Sequence, residues 1–153
     1  MAIVYLGLGS NLGQKEHHLK LAISEIEKQI GYIVARSAFC ESAPWGFESP
    51  HPFLNACIAV ETTLSPKECL LAITDIEKRL GRSKKPTKGY ADRVIDVDIL
   101  FYDQMIIREE GLTIPHPLLH QRLFVLNPLS EIAPDLIHPI FNKTIKKLLK
   151  EIS

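Results

Sequence analysis

Residues 93–100 have the sequence RVIDVDIL, whose β-branched and aliphatic residues predict a strand. Because strand side chains alternate between the two faces of a sheet, Asp96 and Asp98 are expected to share one face. The opposite face is expected to carry Ile95, Val97, Ile99 and Phe101. Two adjacent carboxylates repel each other, and burying them without a partner is costly. The pair therefore needs either a function or an exposed position.

The elements around this strand predict an α+β fold of the ferredoxin-like kind, in which α-helices sandwich an antiparallel β-sheet. The expected strands are 3–9, 32–41, 53–62 and 93–100, the expected helices are 15–30, 66–80 and 143–151, and a helical turn is expected near 117–126. Ser65, Pro66 and Glu68 mark the start of the second helix, because they supply a capping box and a proline in the first turn. We expect one domain over residues 1–153.

The composition is typical of a soluble globular protein, since 46% of the residues are hydrophobic and 24% are charged. Lysine and arginine (18) balance aspartate and glutamate (18), so no overall charge would attract nucleic acid or an anionic membrane. The N-terminal apolar stretch is too short for a membrane span and lacks the layout of a signal peptide. Cys40, Cys57 and Cys69 are odd in number and lack metal-binding spacing. We therefore expect a monomer in the reducing cytoplasm.

The aspartate pair has two interpretations. Asp96 and Asp98 could face solvent or pair with basic side chains, as most charged strand residues do. Alternatively they bind Mg²⁺, which prefers carboxylate oxygens and removes their mutual repulsion. A calcium-binding EF-hand loop is excluded, because Phe101 and Ile107 stand where its glycine and glutamate would be needed.

A basic segment directly precedes the aspartates. Its five cationic residues are Arg82, Lys84, Lys85, Lys88 and Arg93. A basic loop on its own is most often only solvated. Beside a metal-binding carboxylate pair, however, it offers what a polyphosphate requires, with metal on one flank and cations on the other.

The glycine-rich stretch 7–13, GLGSNLG, is not a dinucleotide-binding or P-loop motif, because its spacing and its following residues differ from both. Gly7 and Gly9 could instead keep one face of the first strand open so that a flat ligand can lie close. Tight packing of a helix on the sheet is an equally good explanation. Asn11 is a candidate for fixing the turn that follows.

Two further stretches carry polar groups with a possible binding role. By strand alternation, Phe53 and Asn55 share one face, where a ring and an amide could recognise a planar heterocycle; a surface position is the alternative. His116 and His120 have a spacing that zinc sites use, but no third ligand follows at a familiar distance. His116 and Arg122 are better suited to contact a phosphate.

Five stretches of the chain together resemble the 6-hydroxymethyl-7,8-dihydropterin pyrophosphokinase family of folate biosynthesis. They are YLGLGSNLG, ESAPWG with FLNA, IEKRLGR, DRVIDVDILFYD and IPHPLLHQRLFVLNPLSEIAPD, and they follow the family's order across nearly the whole chain. The resemblance implies transfer of the β,γ-pyrophosphoryl group of MgATP to the pterin's hydroxymethyl oxygen, with AMP as the second product.

The resemblance also implies roles for particular residues. Asp96 and Asp98 would hold two Mg²⁺ ions, and Arg82 and Arg93 would be catalytic and grip the phosphates. Further ATP contacts would come from Glu77, Lys84, Ile99, His116 and Arg122. The pterin pocket would consist of Ser42, Trp45, Phe53, Asn55 and Phe124, with the ring stacked between the two phenylalanines.

Two other functions stay open on the residues alone. One is a different Mg²⁺-dependent nucleotide transferase, such as a glycosyltransferase with a DxD motif, which would prefer a nucleotide sugar. The other is a non-catalytic module that binds a nucleotide or a pterin and releases no AMP. Since phosphoryl-type transfer depends on positioning and charge stabilisation, neither a covalent intermediate nor an essential cysteine is expected for the pyrophosphokinase.

Overall fold

A computed structural model describes residues 1–47, 49–81 and 94–153. The strands are β1 (Ala2–Ser10), β2 (Gly31–Arg36), β3 (Cys40–Ser42), β4 (Phe53–Thr62), β5 (Asp96–Tyr102), β6 (Ile107–Glu109), β7 (Leu112–Ile114), β8 (Ile137–His138) and β9 (Lys143–Thr144). The helices are α1 (Lys15–Gln29), α2 (Pro66–Arg79), α3 (Leu123–Ile132) and α4 (Ile145–Ile152), and a 3₁₀ turn (Leu119–Gln121) precedes α3. In these ranges no helix has the length and hydrophobicity needed to cross a bilayer.

The central sheet has the strand order β2-β4-β1-β5, and β3 extends it by pairing with β4. Every pairing in this sheet is antiparallel. With α1 and α2 as the two crossovers, this order is that of a ferredoxin-like fold, and the predicted fold is confirmed. The short strand pairs β6-β7 and β8-β9 lie outside the central sheet.

Helices cover both faces of the sheet. On one face α1 and α2 pack on side chains of β1 that include Val4, Leu6 and Leu8. On the other face α3 and α4 form a second core, to which β5 contributes Leu100 and Phe101. The second core covers only part of its face, since β1 residues Gly7 and Gly9 on that side line a cavity.

The start of α2 follows the sequence prediction in detail. Ser65 Oγ accepts a hydrogen bond from the Glu68 N–H at 3.1 Å, and Glu68 Oε1 accepts one from the Ser65 N–H at 2.8 Å. These two bonds complete the capping box and satisfy donors that the helix itself cannot pair. The helix ends before Gly81, whose φ of +111° is a conformation that a residue with a side chain rarely adopts.

The sequence-based prediction that Phe101 shares a face of the sheet with Ile99 was wrong. In the pairing of β1 with β5, Tyr5 lies opposite Phe101 and Leu6 lies opposite Ile99, so the register shifts at this point. Such a bulge moves every later side chain to the other face of the sheet. Phe101 therefore packs in the second core, where its ring meets that of Tyr5 edge-on at 6.2 Å.

Two other predicted boundaries also differ from the structure. The strand expected over 32–41 is divided into β2 and β3, because the Ser37 hydroxyl accepts a hydrogen bond from the Cys57 N–H at 3.0 Å. The helical turn expected near 117–126 is a 3₁₀ turn followed by α3, which continues to Ile132 through Pro128. Pro128 is buried within α3, so tertiary packing outweighs its unfavourable propensity.

Candidate active site

A cavity of about 370 Å³ lies on the partly covered face of the sheet, bounded by β1, β4, β5, the segment after β3 and the start of α3. Nine of the predicted site residues line it: Ser42, Trp45, Phe53, Asn55, Asp96, Asp98, His116, Arg122 and Phe124. These residues are separated by up to 82 positions in the chain (124 − 42), and the fold brings them to one place. Such a concave site with polar and aromatic walls is suited to a small ligand.

The floor of the cavity is formed by the two glycines of β1. Gly9 is paired with Asn55 on one side and Asp96 on the other, and Gly7 is paired with Cys57 and Asp98. A Cβ atom on Gly9 would lie 3.2 Å from Oδ1 of Asn55. Because Gly7 and Gly9 line the cavity and α1 and α2 pack on the opposite face of β1, the absence of side chains at these two positions leaves the floor open.

Asp96 and Asp98 face this cavity from β5, next to the glycine floor. Val97, between them, points into the core, and its N–H donates to Oε2 of Glu77 at 2.9 Å. Among the described residues no group of three or more histidine, cysteine or acidic side chains could hold a metal. The two carboxylates that line the cavity are a donor set that fits Mg²⁺, which commonly takes one or two protein carboxylates and completes its shell with water and substrate phosphates.

Asn55 forms the other side of the floor and is only 5% exposed. Its Nδ2 donates to Ser42 Oγ at 2.7 Å and to the Cys40 carbonyl oxygen at 3.3 Å. Both amide hydrogens are thereby used, and the amide oxygen lies over Gly9. The arrangement presents a fixed hydrogen-bond acceptor at the cavity floor.

Aromatic side chains form two walls. Phe53 stands on β4, and the Phe47 ring meets it edge-on with the ring centroids 6.2 Å apart. On the other wall Trp45 and Phe124 have centroids 6.4 Å apart. The guanidinium carbon of Arg122 lies 4.6 Å from the Trp45 centroid and 5.4 Å from that of Phe124. These distances are within the range of cation–π interactions.

His116 supplies a neutral donor at the cavity edge. Its Nδ1 accepts a hydrogen bond from the Leu118 N–H at 3.1 Å, which places the ring proton on Nε2. Burial, and secondarily the charge of Arg122, lowers the pKa of His116 from 6.5 to about 4. His120 packs edge-on against Phe141 at 4.7 Å instead of facing the cavity, so the structure gives no support to a zinc site shared by the two histidines.

A second histidine, His138, also has a lowered pKa. His138 is 2% exposed, and burial and the nearby His120 lower its pKa from 6.5 to about 4. Both His138 and His116 must therefore stay neutral in the folded protein over a range where the unfolded chain binds protons.

We expect the free energy of unfolding to be highest above about pH 6.5 and to decrease as the pH falls toward 4. A folded-state pKa below the unfolded value gives this sign, and by pH 5 the two histidines together would cost about 4 kcal/mol, or about 2 kcal/mol each. Urea unfolding at pH 7 and pH 5 measures the change, and His138→Gln should reduce it. Equal stability at the two pH values would contradict the prediction.

Of the predicted site residues that the structure describes, Glu77 and Ile99 do not line the cavity. Glu77 is buried on α2 and accepts the Val97 N–H, and Ile99 is part of the core beneath α1 and α2. A role of Glu77 and Ile99 in ATP binding stays a prediction. Arg82, Lys84 and Arg93 lie outside the described residues.

The structure also identifies Lys15, which the sequence did not point to, and gives Asn11 a distant partner. Lys15 Nζ donates to the Pro52 carbonyl oxygen at 3.1 Å, and Asn11 Nδ2 donates to that of His51 at 3.1 Å. Together they tie the end of the loop that carries Trp45 to the start of α1. The sequence made Asn11 a candidate for fixing its own turn. Its bond to a carbonyl 40 positions away could not be predicted, because such a contact leaves no pattern in the neighbouring residues.

Comparison with known proteins decides the family. Residues 5–134 match the family described as 7,8-dihydro-6-hydroxymethylpterin-pyrophosphokinase (HPPK). The chain belongs to the HPPK family.

Two similar relatives are both named 2-amino-4-hydroxy-6-hydroxymethyldihydropteridine pyrophosphokinase. The protein from Porphyromonas gingivalis is 47% identical over 141 residues, covering 91% of this chain and 95% of its own length. The protein from Aquifex aeolicus is 43% identical over 151 residues, covering 99% of this chain and 92% of its own length.

Other HPPK relatives are parts of longer chains. The folic acid synthesis protein of Dictyostelium discoideum is 41% identical over 95% of this chain, but the match covers 22% of that protein. The crystal structure of an HPPK-DHPS triple mutant from Plasmodium falciparum superposes with a TM-score of 0.81 at 19% identity. That match covers 98% of this HPPK-family chain and 44% of the Plasmodium chain, and it supports the fold.

Proposed function

We propose that this chain transfers the pyrophosphoryl group of MgATP to the hydroxymethyl oxygen of 6-hydroxymethyl-7,8-dihydropterin, a step of folate biosynthesis. The observation that carries the proposal is the cavity, where Asn55 and the aromatic walls lie across the glycine floor from Asp96 and Asp98. A planar heterocycle fits between the aromatic walls beside Asn55, and a metal-bound polyphosphate fits beside Asp96 and Asp98. The family match does not favour a DxD glycosyltransferase.

The pterin half of the site consists of Ser42, Trp45, Phe53, Asn55 and Phe124. The oxygen of Asn55 would accept a hydrogen bond from an N–H of the heterocycle, because its amide hydrogens already bind Ser42 and the backbone. Phe53 and Phe124 would stack on the two faces of the ring. Burial of the amide makes this recognition specific, since a ligand lacking the N–H would leave a buried acceptor unpaired.

The nucleotide half consists of Asp96, Asp98, His116 and Arg122. The two carboxylates would hold two Mg²⁺ ions, which neutralise the phosphates and align the reacting oxygens when bound. Neutral His116 and cationic Arg122 would donate hydrogen bonds to phosphate oxygens. The sequence-based proposal adds Arg82, Lys84 and Arg93 on the phosphates and Glu77 and Ile99 on the nucleotide.

In the reaction the hydroxymethyl oxygen forms a bond to the β-phosphorus of ATP, and the bond from that phosphorus to the oxygen bridging to the α-phosphate breaks. AMP leaves with the bridging oxygen, and the proton of the hydroxyl group is released. The protein contributes position and charge. Cys57 lines the cavity, but burial and the nearby Cys40 raise the pKa of its thiol, so a thiolate nucleophile is not available.

The decisive test of this function is the identity of the nucleotide product. With ATP, Mg²⁺ and the hydroxymethyl-dihydropterin all present, we expect AMP and the pterin diphosphate in equal amounts, and no AMP when one component is omitted. Chromatography of the reaction mixture measures both products. ADP as the main nucleotide would mean transfer of one phosphoryl group and would overturn the proposal, and ligand binding without turnover would support a non-catalytic module.

A second test compares the two glycines of the floor. Gly9→Ala is expected to raise the KM for the pterin about ten-fold, because its Cβ would lie 3.2 Å from Asn55 Oδ1, which is closer than an ordinary contact. Gly7→Ala is the matched control, since its Cβ would meet the Leu100 methyl groups at an ordinary 3.4 Å. Steady-state kinetics with pterin as the varied substrate distinguishes them. Equal effects of the two substitutions would show that Asn55 is not the sensitive contact.

We further propose that residues 1–153 form a single domain that is a monomer in the cytoplasm. The two hydrophobic cores share one sheet, which supports a single folding unit. Cys40, Cys57 and Cys69 are all free thiols, as is common in a reducing compartment. Light scattering coupled to gel filtration measures the oligomeric state.

A further inference from the structure

We infer that Trp45 is a positioning residue for Arg122, so that the loop over the pterin half of the site also prepares the phosphate contact in the nucleotide half. The inference rests on the proposed assignment of Arg122 to ATP. It assigns Trp45 a task beyond covering the pterin: its indole holds the guanidinium before either substrate binds.

The first support is the geometry of the contact. The Arg122 guanidinium carbon is 4.6 Å from the Trp45 ring centroid, and Phe124 approaches it at 5.4 Å. The two rings belong to different elements, because Trp45 follows β3 and Phe124 stands in α3. Arg122 is only 6% exposed, so little solvent screens the attraction between its charge and the rings.

The second support is the chemistry of a stacked guanidinium. A guanidinium that lies against an aromatic face keeps its N–H donors at the edge of its plane, where they can form paired hydrogen bonds with phosphate oxygens. The long arginine side chain is otherwise costly to immobilise, and a preformed contact with the ring reduces the entropy lost when ATP binds. Trp45 would therefore raise ATP affinity without touching ATP.

The third support is the position of Arg122 between the two halves of the site. Arg122 lines the same cavity as His116, Asp96 and Asp98, so the guanidinium that contacts Trp45 also belongs to the site of the proposed phosphate contacts. The loop that carries Trp45 is held at its other end by Asn11 and Lys15.

The experiment uses the fact that Trp45 is the only tryptophan of the chain. Biosynthetic replacement of tryptophan by mono-, di- and trifluorinated analogues therefore changes this ring alone, and fluorine weakens the negative ring face with little change in size. Calorimetry with a non-hydrolysable ATP analogue and Mg²⁺, without pterin, measures the affinity. We expect a progressive loss with each fluorine, about five-fold in total.

Arg122→Leu is the matched control, and it separates this inference from the assignment on which it depends. In the Arg122→Leu protein, ATP affinity should be low and independent of fluorination. If that variant binds the analogue weakly but fluorination of the parent has no effect, Trp45 does not position Arg122, and the inference fails alone. If Arg122→Leu binds as tightly as the parent, the assignment of Arg122 to ATP fails.

A second measurement tests the contact without any ligand. In ¹⁵N NMR spectra, the Nε–Hε proton of Arg122 should be shifted upfield by ring currents from Trp45, and Trp45→Leu should reverse this shift. Trp45→Phe, which keeps an aromatic face, should retain part of the shift and part of the ATP affinity. An unshifted Arg122 resonance in the parent, or equal ATP affinity in the Leu and Phe variants, would overturn the inference.

Discussion

Asp96→Ala and Asp98→Ala should each reduce AMP release at least about a thousand-fold. Both carboxylates face the cavity beside the glycine floor, and each would supply oxygen ligands to the metal ions that bind the triphosphate. Without one of them the phosphates lose charge neutralisation and alignment with the attacking hydroxyl group. The measurement is single-turnover AMP formation at saturating ATP, Mg²⁺ and pterin.

The loss should occur without unfolding, because the aspartates are half-exposed and their mutual repulsion is relieved by the substitution. Thermal unfolding of each variant tests this, and Asp135→Ala, an exposed aspartate away from the cavity, is the matched control. Asp98→Asn adds a variant of equal size that lacks the charge. Activity close to that of the parent in either alanine variant would reject the two-metal assignment.

Asn55→Ala should lower kcat/KM for the pterin about a hundred-fold while the affinity for an ATP analogue stays unchanged. The buried amide is held by Ser42 Oγ at 2.7 Å and by the Cys40 carbonyl at 3.3 Å, so its oxygen is a rigid acceptor. Alanine would leave the donor of the pterin without its protein acceptor at a position that is only 5% exposed. Steady-state kinetics and calorimetry measure the two effects separately.

Ser42→Ala provides a graded comparison for Asn55. It removes one partner of the amide but keeps the bond to the Cys40 carbonyl, so a loss of about ten-fold is expected. If Ser42→Ala has the larger effect, Ser42 itself and not Asn55 is the main pterin contact. A comparable loss of ATP affinity in Asn55→Ala would instead place this amide in the nucleotide half.

The sequence by itself determined the order of the main elements and the faces on which several site residues lie. Helix periodicity and the capping box at Ser65 depend on residues three or four positions apart, and strand alternation depends on neighbours two positions apart. These local rules placed Asp96 with Asp98 and Phe53 with Asn55, and the structure agrees. The family resemblance then suggested that these pairs belong to one site.

Tertiary structure alone decided the features that depend on distant parts of the chain. The bulge that moves Phe101 to the second core arises from the register of β5 against β1, and no residue within β5 encodes it. The contact of Arg122 with Trp45 joins positions 77 residues apart (122 − 45). Local propensity acts over a few residues, whereas register, burial and cation–π contacts depend on which surfaces meet when the sheet and helices pack.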